Sequence, residues 1–169
     1  HDFYISGYHA EGANKLTLWS ASVPQGFDMA AFSRGDYARA LEQNTMAETI
    51  SKVLYPADDH IEGKRLRLKQ QYLLVSASLQ SILKDHYKQY GTLSNLPDKV
   101  AVHINDTHPA LCVPELMRLL VDQYEMGWDE AWDITCKTLS YTNHTVMAEA
   151  LEHWQIDLFR EQLPRVYGI

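Results

Sequence analysis

The clearest hydrophobic pattern in this chain predicts an amphipathic helix over residues 64–87. Its apolar side chains recur at alternating steps of four and three residues, so they share one face of an α-helix. These positions are Leu68, Tyr72, Val75, Leu79 and Ile82. No other segment of the chain shows so regular a pattern.

A second helix is predicted over residues 36–52, a stretch rich in Ala, Leu, Glu and Met. Its apolar positions are Tyr37, Leu41 and Met46, which we expect to form a thin stripe. A helix with so little to bury in its own domain often packs on something else. We therefore expect it to contact a partner subunit.

The segment before that helix predicts a strand and a turn. Residues 15–22 alternate apolar with polar side chains, which is typical of a half-buried strand. Pro24, Gly26 and Asp28 then indicate a turn. After the helix, Pro56 ends the helical pattern and introduces a polar loop.

A short apolar run at residues 99–104 predicts a buried strand, and residues 139–143 predict a second strand. Between them, helices are predicted over residues 114–124 and 129–138, and two more short helices over residues 148–163. Parallel strands need a long crossover connection, which the intervening helices supply. The order strand, helix pair, strand therefore predicts an α/β layout with parallel strands.

Each of these two strands is followed by a polar cluster. The clusters are Asn105, Asp106, Thr107 and His108 after the first strand, and Asn143, His144 and Thr145 after the second. In open parallel sheets, ligands bind beyond the carboxyl ends of the strands. If the two strands are neighbours, Asp106, His108 and His144 converge on one crevice. The alternative is that these side chains cap helices and satisfy backbone groups in turns.

Other chemistries compete for the same residue types. A metal site could draw on His103, Asp106, His108 and His144. Their spacing matches no known zinc pattern, so we expect no metal. Asp58 or Asp59 could form a carboxylate pair with Asp106 for glycoside hydrolysis, although adjacent acids in a loop are usually just solvated. The eight glycines are scattered and form no phosphate-binding loop.

Composition narrows the classes of function. The 169 residues are 46% hydrophobic and 22% charged, as in a globular domain. A net charge of -7 disfavours nucleic acid as a partner, and no apolar run approaches the roughly 20 residues of a membrane span.

Cys112 and Cys136 form no CxxC pair, so we expect buried thiols in a reducing, cytoplasmic compartment. The chain starts at His1 and ends without a cap, which suggests a piece of a longer protein.

Six sequence words occur in a fixed order along almost the whole chain. They are LWSA at 18–21, VLYP at 53–56, EGKRLRLKQQY at 62–72, NDTHPAL at 105–111, PELMRLL at 114–120 and YTNHTVMAEALE at 141–152. Together they resemble the α-glucan phosphorylases, the family of the glycogen, starch and maltodextrin phosphorylases. NDTHP and YTNHT are the most specific of these words. The likeness places residues 1–169 in the later part of the family's N-terminal domain.

The resemblance implies a fold and an activity. The fold is a helix-rich α/β segment of a Rossmann-like domain, within a two-domain glycosyltransferase-type enzyme. Such enzymes split the terminal α-1,4 bond of a glucan with inorganic phosphate and release α-D-glucose 1-phosphate with retention. Pyridoxal phosphate is bound by a lysine in the C-terminal domain, outside this segment. The implied partners are that C-terminal domain, the glucan or maltodextrin, phosphate, and a second subunit docked through residues 36–52.

The resemblance also implies site residues within the sugar-site region, residues 99–169. His144 and Asp106 are the implied catalytic residues. The ring of His144 would bind the 6-hydroxyl of the glucosyl unit, and its main-chain carbonyl would lie near the anomeric carbon. Substrate-binding residues would be His144, Asn143, Thr145, Asp106, His108, Asp58 and Asp59. The last two belong to a gate loop at residues 56–63, which covers the substrate site in the family.

The chain departs from its apparent family at three places. Asp59 stands where many relatives have Asn, so it accepts hydrogen bonds and cannot donate as an amide does. His60 replaces an aromatic residue of a purine-stacking inhibitor site. Lys84 and Asp85 stand where animal enzymes carry an Arg pair that binds the phosphate of the activator AMP. A carboxylate at this place would repel phosphate, so we expect no activation by AMP.

The distribution of charged residues predicts which of the enzyme's ligands this segment binds and which the rest of the enzyme binds. The clusters at Asp58, Asp106 and His144 contain no Lys or Arg, whereas phosphate needs cations around it. We therefore expect a sugar subsite here, no phosphate subsite, and no turnover by the isolated segment. The remaining alternative is a glucan-binding or interaction module without chemistry.

Overall fold

The computed structural model divides into two units, and the boundary falls within its longest helix, α3 (Ile61–Tyr90). The first unit is His1–Gln70 and the second is Gln71–Ile169. The structure describes residues 1–23, 27–148 and 151–169, without the side chain of Gln43.

A β-hairpin begins the first unit. Strand β1 (Asp2–Ser6) pairs antiparallel with β2 (Ala13–Thr17). The strand predicted at residues 15–22 is therefore right in type, but it starts earlier and ends at Thr17. It is also exposed rather than half-buried. Of the predicted turn, residues 24–26 lie outside the described residues.

Two helices follow in the first unit, and both have an aspartate at their N-cap. Asp28 accepts a hydrogen bond from the Ala31 N–H at the start of α1 (Met29–Ser33). Asp36 accepts from the Arg39 N–H at the start of α2 (Tyr37–Lys52). Such oxygens satisfy backbone donors that have no partner within the helix. The boundaries of α2 confirm the helix predicted at residues 36–52.

The predicted apolar stripe of α2 is wrong in its geometry. Tyr37, Leu41 and Met46 are all exposed, at 60%, 48% and 64% of their surfaces. Met46 follows Tyr37 by nine residues, which places it about half a turn away around the helix axis. Leu41, four residues after Tyr37, lies on nearly the same side as Tyr37, so Met46 is the one on the opposite side and the three residues form no single stripe.

Helix α3 buries most of the predicted face. Leu68, Val75 and Leu79 are at most 2% exposed. Ile82 is only half-buried, and Leu83 is buried beside it. The helix begins three residues before the predicted range and ends three residues after it.

In the second unit, the described residues form five further α-helices and a π-helical turn. They are α4 (Leu96–Lys99), α5 (Cys112–Arg118), the π-turn (Leu119–Gln123), α6 (Trp128–Thr138), α7 (Ile156–Gln162) and α8 (Pro164–Gly168). The helix predicted at residues 114–124 is confirmed as α5 and its π-helical continuation. Of the two helices predicted over residues 148–163, α7 is confirmed, whereas α8 lies after that range and residues 149–150 lie outside the described residues.

A small parallel sheet defines the second unit as mixed α/β. Strand β3 (Val102–Asn105) pairs in parallel with β4 (Leu139–Thr142), which confirms the predicted parallel strands. Side chains alternate between the two faces of a strand. Ile104 is buried on one face, whereas His103, Asn105 and Ser140 are exposed on the other. Leu116, Leu119, Leu120, Ala131 and Ile134 are among the core residues of this unit.

The two cysteines differ in environment. Cys112 is buried, as predicted, but Cys136 is exposed on α6, so the prediction of two buried thiols is wrong for Cys136. Among the described residues, the helices are all too short or too polar to cross a membrane.

Candidate functional site

The carboxyl ends of β3 and β4 meet at one edge of the sheet. The main-chain N–H of Asp106 donates to the carbonyl oxygen of Thr142 at 2.8 Å, immediately beyond the paired residues Asn105 and Thr142. Asp106 has a φ of +67°, in the left-handed region that Asp tolerates better than most residues. Its Oδ1 accepts from the N–H of Thr107 at 2.8 Å. The parallel pairing thus holds Asp106 at the edge where residues 143–145 begin.

The ring of His144 is held by a side chain from the neighbouring strand. Its Nε2 is hydrogen bonded to Oδ1 of Asn105. An amide oxygen can only accept, so Nε2 carries the proton, and Nδ1 of the neutral ring is an acceptor. The side chain is exposed. His144 can therefore accept a hydrogen bond from a ligand hydroxyl at Nδ1.

Asn143 and Thr145 fix the loop around His144. The Thr145 N–H donates to Oδ1 of Asn143 at 2.9 Å, and Nδ2 of Asn143 donates to the Thr145 carbonyl at 2.6 Å. Asn143 thus satisfies backbone groups in a turn, as the alternative interpretation of these clusters predicted. Both ends of its amide are engaged within the loop.

The structure separates the predicted site residues into two groups. Five lie in the second unit, at or just after the ends of β3 and β4. They are Asp106, His108, Asn143, His144 and Thr145. Asp106, His108 and Thr145 are half-buried, whereas Asn143 and His144 are exposed. Asp58 and Asp59 belong to the first unit.

Two contributors at this edge had no role predicted from the sequence: Asn105, which belongs to the first polar cluster, and Thr142. Asn105 binds the His144 ring and Thr142 binds the Asp106 backbone. The register of β3 against β4 pairs these two residues. Only that register would have identified them, because neither residue type is distinctive.

The imidazole of His103 is bound by hydroxyl groups. Its Nδ1 lies 2.8 Å from Oγ of Ser140, and its Nε2 lies 2.7 Å from Oγ1 of Thr142. Within the described part of the chain, no three His, Cys, Asp or Glu side chains lie close enough to bind one metal ion.

In the first unit, Asp58 is paired with an arginine. Its Oδ2 lies 3.7 Å from Nη1 of Arg67 on α3, and Oδ1 of Asp59 lies 3.9 Å from Nε2 of His60. The expectation that no cation accompanies the clusters is therefore wrong at Asp58. This cation could not be recognised in the sequence, because Arg67 lies nine residues after Asp58, on helix α3. Both carboxylates remain largely exposed.

The segment before the loop is tied to α3 by a buried glutamine. Nε2 of Gln70 donates to the Val53 carbonyl at 2.7 Å, and its Oε1 accepts from the Tyr55 N–H at 3.3 Å. The guanidinium of Arg67 stacks over the Tyr55 ring, 5.3 Å from its centroid. These contacts hold residues 53–55 against the same helix that carries the Asp58 partner.

Gly63 allows the loop to approach the first turn of α3. A Cβ at this position would lie 1.7 Å from the carbonyl oxygen of Ala57. The Gly63 N–H also donates to Nδ1 of His60 at 2.9 Å. A residue without a side chain is therefore required for the observed path of residues 57–60.

A buried carboxylate joins two helices of the second unit. Glu115 on α5 is fully buried, and its carboxylate accepts from Ser76 Oγ at 2.6 Å and Tyr72 Oη at 3.2 Å. Arg118 adds two charge-assisted hydrogen bonds, from Nε at 2.7 Å and Nη2 at 2.8 Å. This network joins α5, which follows the residues 106–111, to α3.

The network changes the acidity of its neighbours. Hydrogen bonding to Glu115 raises the pKa of Arg118 above its ordinary value. Burial, helped by the charge of Glu115, raises the pKa of Tyr72. Burial also raises the pKa of the Cys112 thiol to about 11, with Glu115 as a second cause. All three groups therefore keep their protons at neutral pH.

The sheet edge presents amide, imidazole, hydroxyl and carboxylate groups. In the described contacts of Asp106, Asn143, His144 and Thr145, the partners are amides and backbone groups, with no Lys or Arg. Such a set suits a neutral ligand with many hydroxyl groups better than an anion. The fold and this edge thus define an α/β segment with a candidate site for a polyhydroxylated ligand.

Comparison with known proteins agrees with that class. The sequence model of the carbohydrate phosphorylase family matches residues 1–169, and the chain belongs to this family. It is 49% identical over 165 residues to the glycogen phosphorylase of Chlamydia pneumoniae and 50% identical over 165 residues to that of Pasteurella multocida. It is 47% identical over 173 residues to the brain form of glycogen phosphorylase of Homo sapiens.

These alignments cover 98% of the chain and 20% of each of the three relatives. The chain therefore spans about a fifth of the length of the curated relatives it matches. The resemblance found in the sequence words is confirmed at the level of the family.

Proposed function

We propose that this chain is part of an α-glucan phosphorylase and supplies its sugar subsite. The whole enzyme would split terminal α-1,4 bonds with inorganic phosphate and release α-D-glucose 1-phosphate. The observation that carries the proposal is the meeting of residues 105–106 with residues 142–144 at one sheet edge, in a chain that matches the carbohydrate phosphorylase family throughout. The names of the relatives support the same activity.

The roles of the sugar-site residues follow from their hydrogen-bonding capacity. His144, held at Nε2 by Asn105, would accept the 6-hydroxyl hydrogen at Nδ1. Its main-chain carbonyl would face the anomeric carbon, where positive charge develops in an oxocarbenium-like transition state. Asp106 and His108 would orient the sugar hydroxyls. Asn143 and Thr145 would fix the loop through their mutual hydrogen bonds.

The gate loop, residues 56–63, would cover the bound glucan. Its two exposed carboxylates, Asp58 and Asp59, can accept hydrogen bonds from sugar hydroxyls. Arg67 and Gly63 give the loop a defined resting position on α3. A loop that closes over the substrate excludes water, which matters when phosphate must compete with water as the nucleophile.

The cofactor of such an enzyme, pyridoxal phosphate, is not bound by the site residues of this chain. The sheet edge offers amides, hydroxyls, imidazoles and a carboxylate, whereas this cofactor needs a lysine amine and cations for its phosphate. When bound in the C-terminal domain, it would supply the acid/base group of the reaction. The same domain would complete the Rossmann-like pair and the phosphate subsite.

The second subunit would dock on α2. This helix exposes Tyr37 and Leu41 on one side and Met46 on the opposite side. Apolar side chains exposed around one helix are suited to an interface that surrounds it. A cytoplasmic homodimer is therefore proposed, and a monomeric full-length enzyme would contradict this part of the proposal.

The full-length protein tests the function directly. Incubation with maltodextrin and inorganic phosphate should release glucose 1-phosphate, and the protein should show pyridoxal absorbance. Release of free glucose without phosphate would instead favour the carboxylate-pair glycosidase. Binding of maltodextrin with no product under either condition would favour a non-catalytic module. Both of these outcomes would overturn the proposed activity.

A further inference from the structure

We propose that His103 is a positioning residue for the sugar subsite, an inference that rests on the proposed function. Its imidazole bridges two hydroxyl side chains on one face of β4, with Nδ1 2.8 Å from Ser140 Oγ and Nε2 2.7 Å from Thr142 Oγ1. One side chain of β3 thus binds two residues of the adjacent strand. Sequence analysis considered His103 only as a metal ligand.

This bridge opposes slippage of the two strands. His103 pairs in register with Ser140, and Thr142 is the next residue on the same face of β4. A slip by one residue would turn Ser140 and Thr142 to the opposite face of the sheet. The bridge would then be lost entirely, so it favours the observed register.

Thr142 carries the constraint from His103 to the site. Its carbonyl oxygen accepts the Asp106 N–H at 2.8 Å, and the residues 143–145 follow directly. On β3, Asn105 lies on the same face as His103 and binds the ring of His144. The register that His103 holds therefore determines the relative positions of Asp106 and His144.

The chemistry of the bridge indicates which substitution should preserve it. In a neutral imidazole one nitrogen donates and the other accepts, and each hydroxyl can match either role. Glutamine also combines a donor and an acceptor at the end of its side chain, whereas leucine has neither. His103→Gln should therefore retain the bridge at least in part, and His103→Leu should abolish it.

The first test measures steady-state kinetics in the full-length protein. His103→Leu should lower kcat/KM for glucan by about tenfold, since small misplacements of site residues are costly, while KM for phosphate should not change. His103→Gln should restore most of the loss. His153→Leu, at another exposed histidine of the second unit, is the matched control and should resemble the wild type. Unchanged kinetics for His103→Leu, equal changes in both KM values, or no recovery with glutamine would overturn the proposal.

A double-mutant cycle tests the route through Thr142. Thr142→Val removes the hydroxyl with little change in shape and leaves only the Ser140 half of the bridge, so His103→Leu should cause a clearly smaller loss in that background than in the wild type. Additive losses would overturn the proposal. The same cycle measured by apparent melting temperature needs no activity. A wild type that forms no glucose 1-phosphate but shows coupled melting temperatures would therefore contradict the proposed function and leave the bridge intact.

Discussion

The N–H of Asp106 donates to the carbonyl oxygen of Thr142 at 2.8 Å, so the ladder between β3 and β4 extends beyond the strands into the polar clusters. This single backbone contact joins two segments that are 36 residues apart in the chain, at positions 106 and 142. It brings the NDTHP and YTNHT words to one edge of the sheet. Substitutions of Asp106 and His144 test this edge directly. Substitution of Glu115 tests the interior of the same unit, and substitution of Gly63 tests the gate loop.

Asp106 combines a special backbone conformation with a carboxylate, and two substitutions separate these properties. Asp106→Asn keeps an acceptor for the Thr107 N–H and tolerates a positive φ, so the fold should be retained. The proposed sugar contacts should still weaken, with kcat/KM for glucan lowered by about tenfold or more. Asp106→Ala should also lose roughly 1 kcal/mol of stability through the strained φ. Full activity of Asp106→Asn would show that the carboxylate charge is not needed.

His144 is the residue proposed nearest to the reacting carbon. In the full-length protein, His144→Ala should lower the rate of glucose 1-phosphate release by about a hundredfold, as expected for loss of a group that orients the substrate. The pyridoxal absorbance should persist, because the proposed place of the cofactor is in the C-terminal domain. His153→Ala is a control at an exposed histidine of the same unit. An unchanged rate for His144→Ala would remove His144 from the site.

Gly63 allows the close approach of the gate loop to α3. Gly63→Ala would place a Cβ 1.7 Å from the Ala57 carbonyl oxygen, so residues 57–60 must move. We expect a higher KM for glucan, by about three- to tenfold, since the loop carries Asp58 and Asp59. Gly12→Ala is the matched control, because nothing lies within 4 Å of a Cβ at that position. Equal KM values for the two variants would contradict the role of this contact.

Glu115 supports the site from the interior of the second unit. Glu115→Gln keeps the shape of the side chain but leaves the Arg118 guanidinium without its carboxylate partner. The cost should be about 1–3 kcal/mol, read as a lower apparent melting temperature at a fixed scan rate. Asp133→Asn removes a carboxylate from an exposed pair with Lys137 and should cost less than about 1 kcal/mol. The prediction fails if both variants melt like the wild type.

The two cysteines should differ in reactivity. The pKa of Cys112 is about 11, so its thiolate is scarce at roughly pH 8, and the buried side chain is shielded from reagents. Iodoacetamide should label the exposed Cys136 in the native protein and leave Cys112 unmodified, as read by peptide mass spectrometry. Raising the pH toward 11 increases the thiolate fraction of Cys112, and unfolding should expose it. Equal labelling of both cysteines in the native protein at the lower pH would contradict this expectation.

The elements that could be predicted from sequence are those with a strong local signal. Helix α3 has a regular apolar face, α2 has high helix propensity, and the two strands flank a predicted helix pair, the first of them within a short apolar run. The hairpin of β1 and β2 was largely missed because most of its side chains are exposed on both faces. Strand β1 in particular gave no signal, and of β2 only its last three residues fell within the predicted strand.

Some residues of the candidate site could likewise be identified from local sequence patterns, whereas others could not. Asp106, His108 and His144 were identified because their clusters follow the two predicted strands. Asn105 and Thr142 were not, because their partners depend on the register between strands. Arg67 was missed because it reaches Asp58 from a helix.

The sequence by itself determined the family of this protein, its parallel strand order and the residue types available for chemistry, because these depend on local patterns and on characteristic words. Only the tertiary structure decided that His103 bridges Ser140 and Thr142, that Asn105 holds His144, and that Gln70 and Arg67 secure the segment before the gate loop. Such contacts depend on strand register and side-chain direction. Those are properties of chains packed in space, and residues far apart in sequence carry no local signal for them.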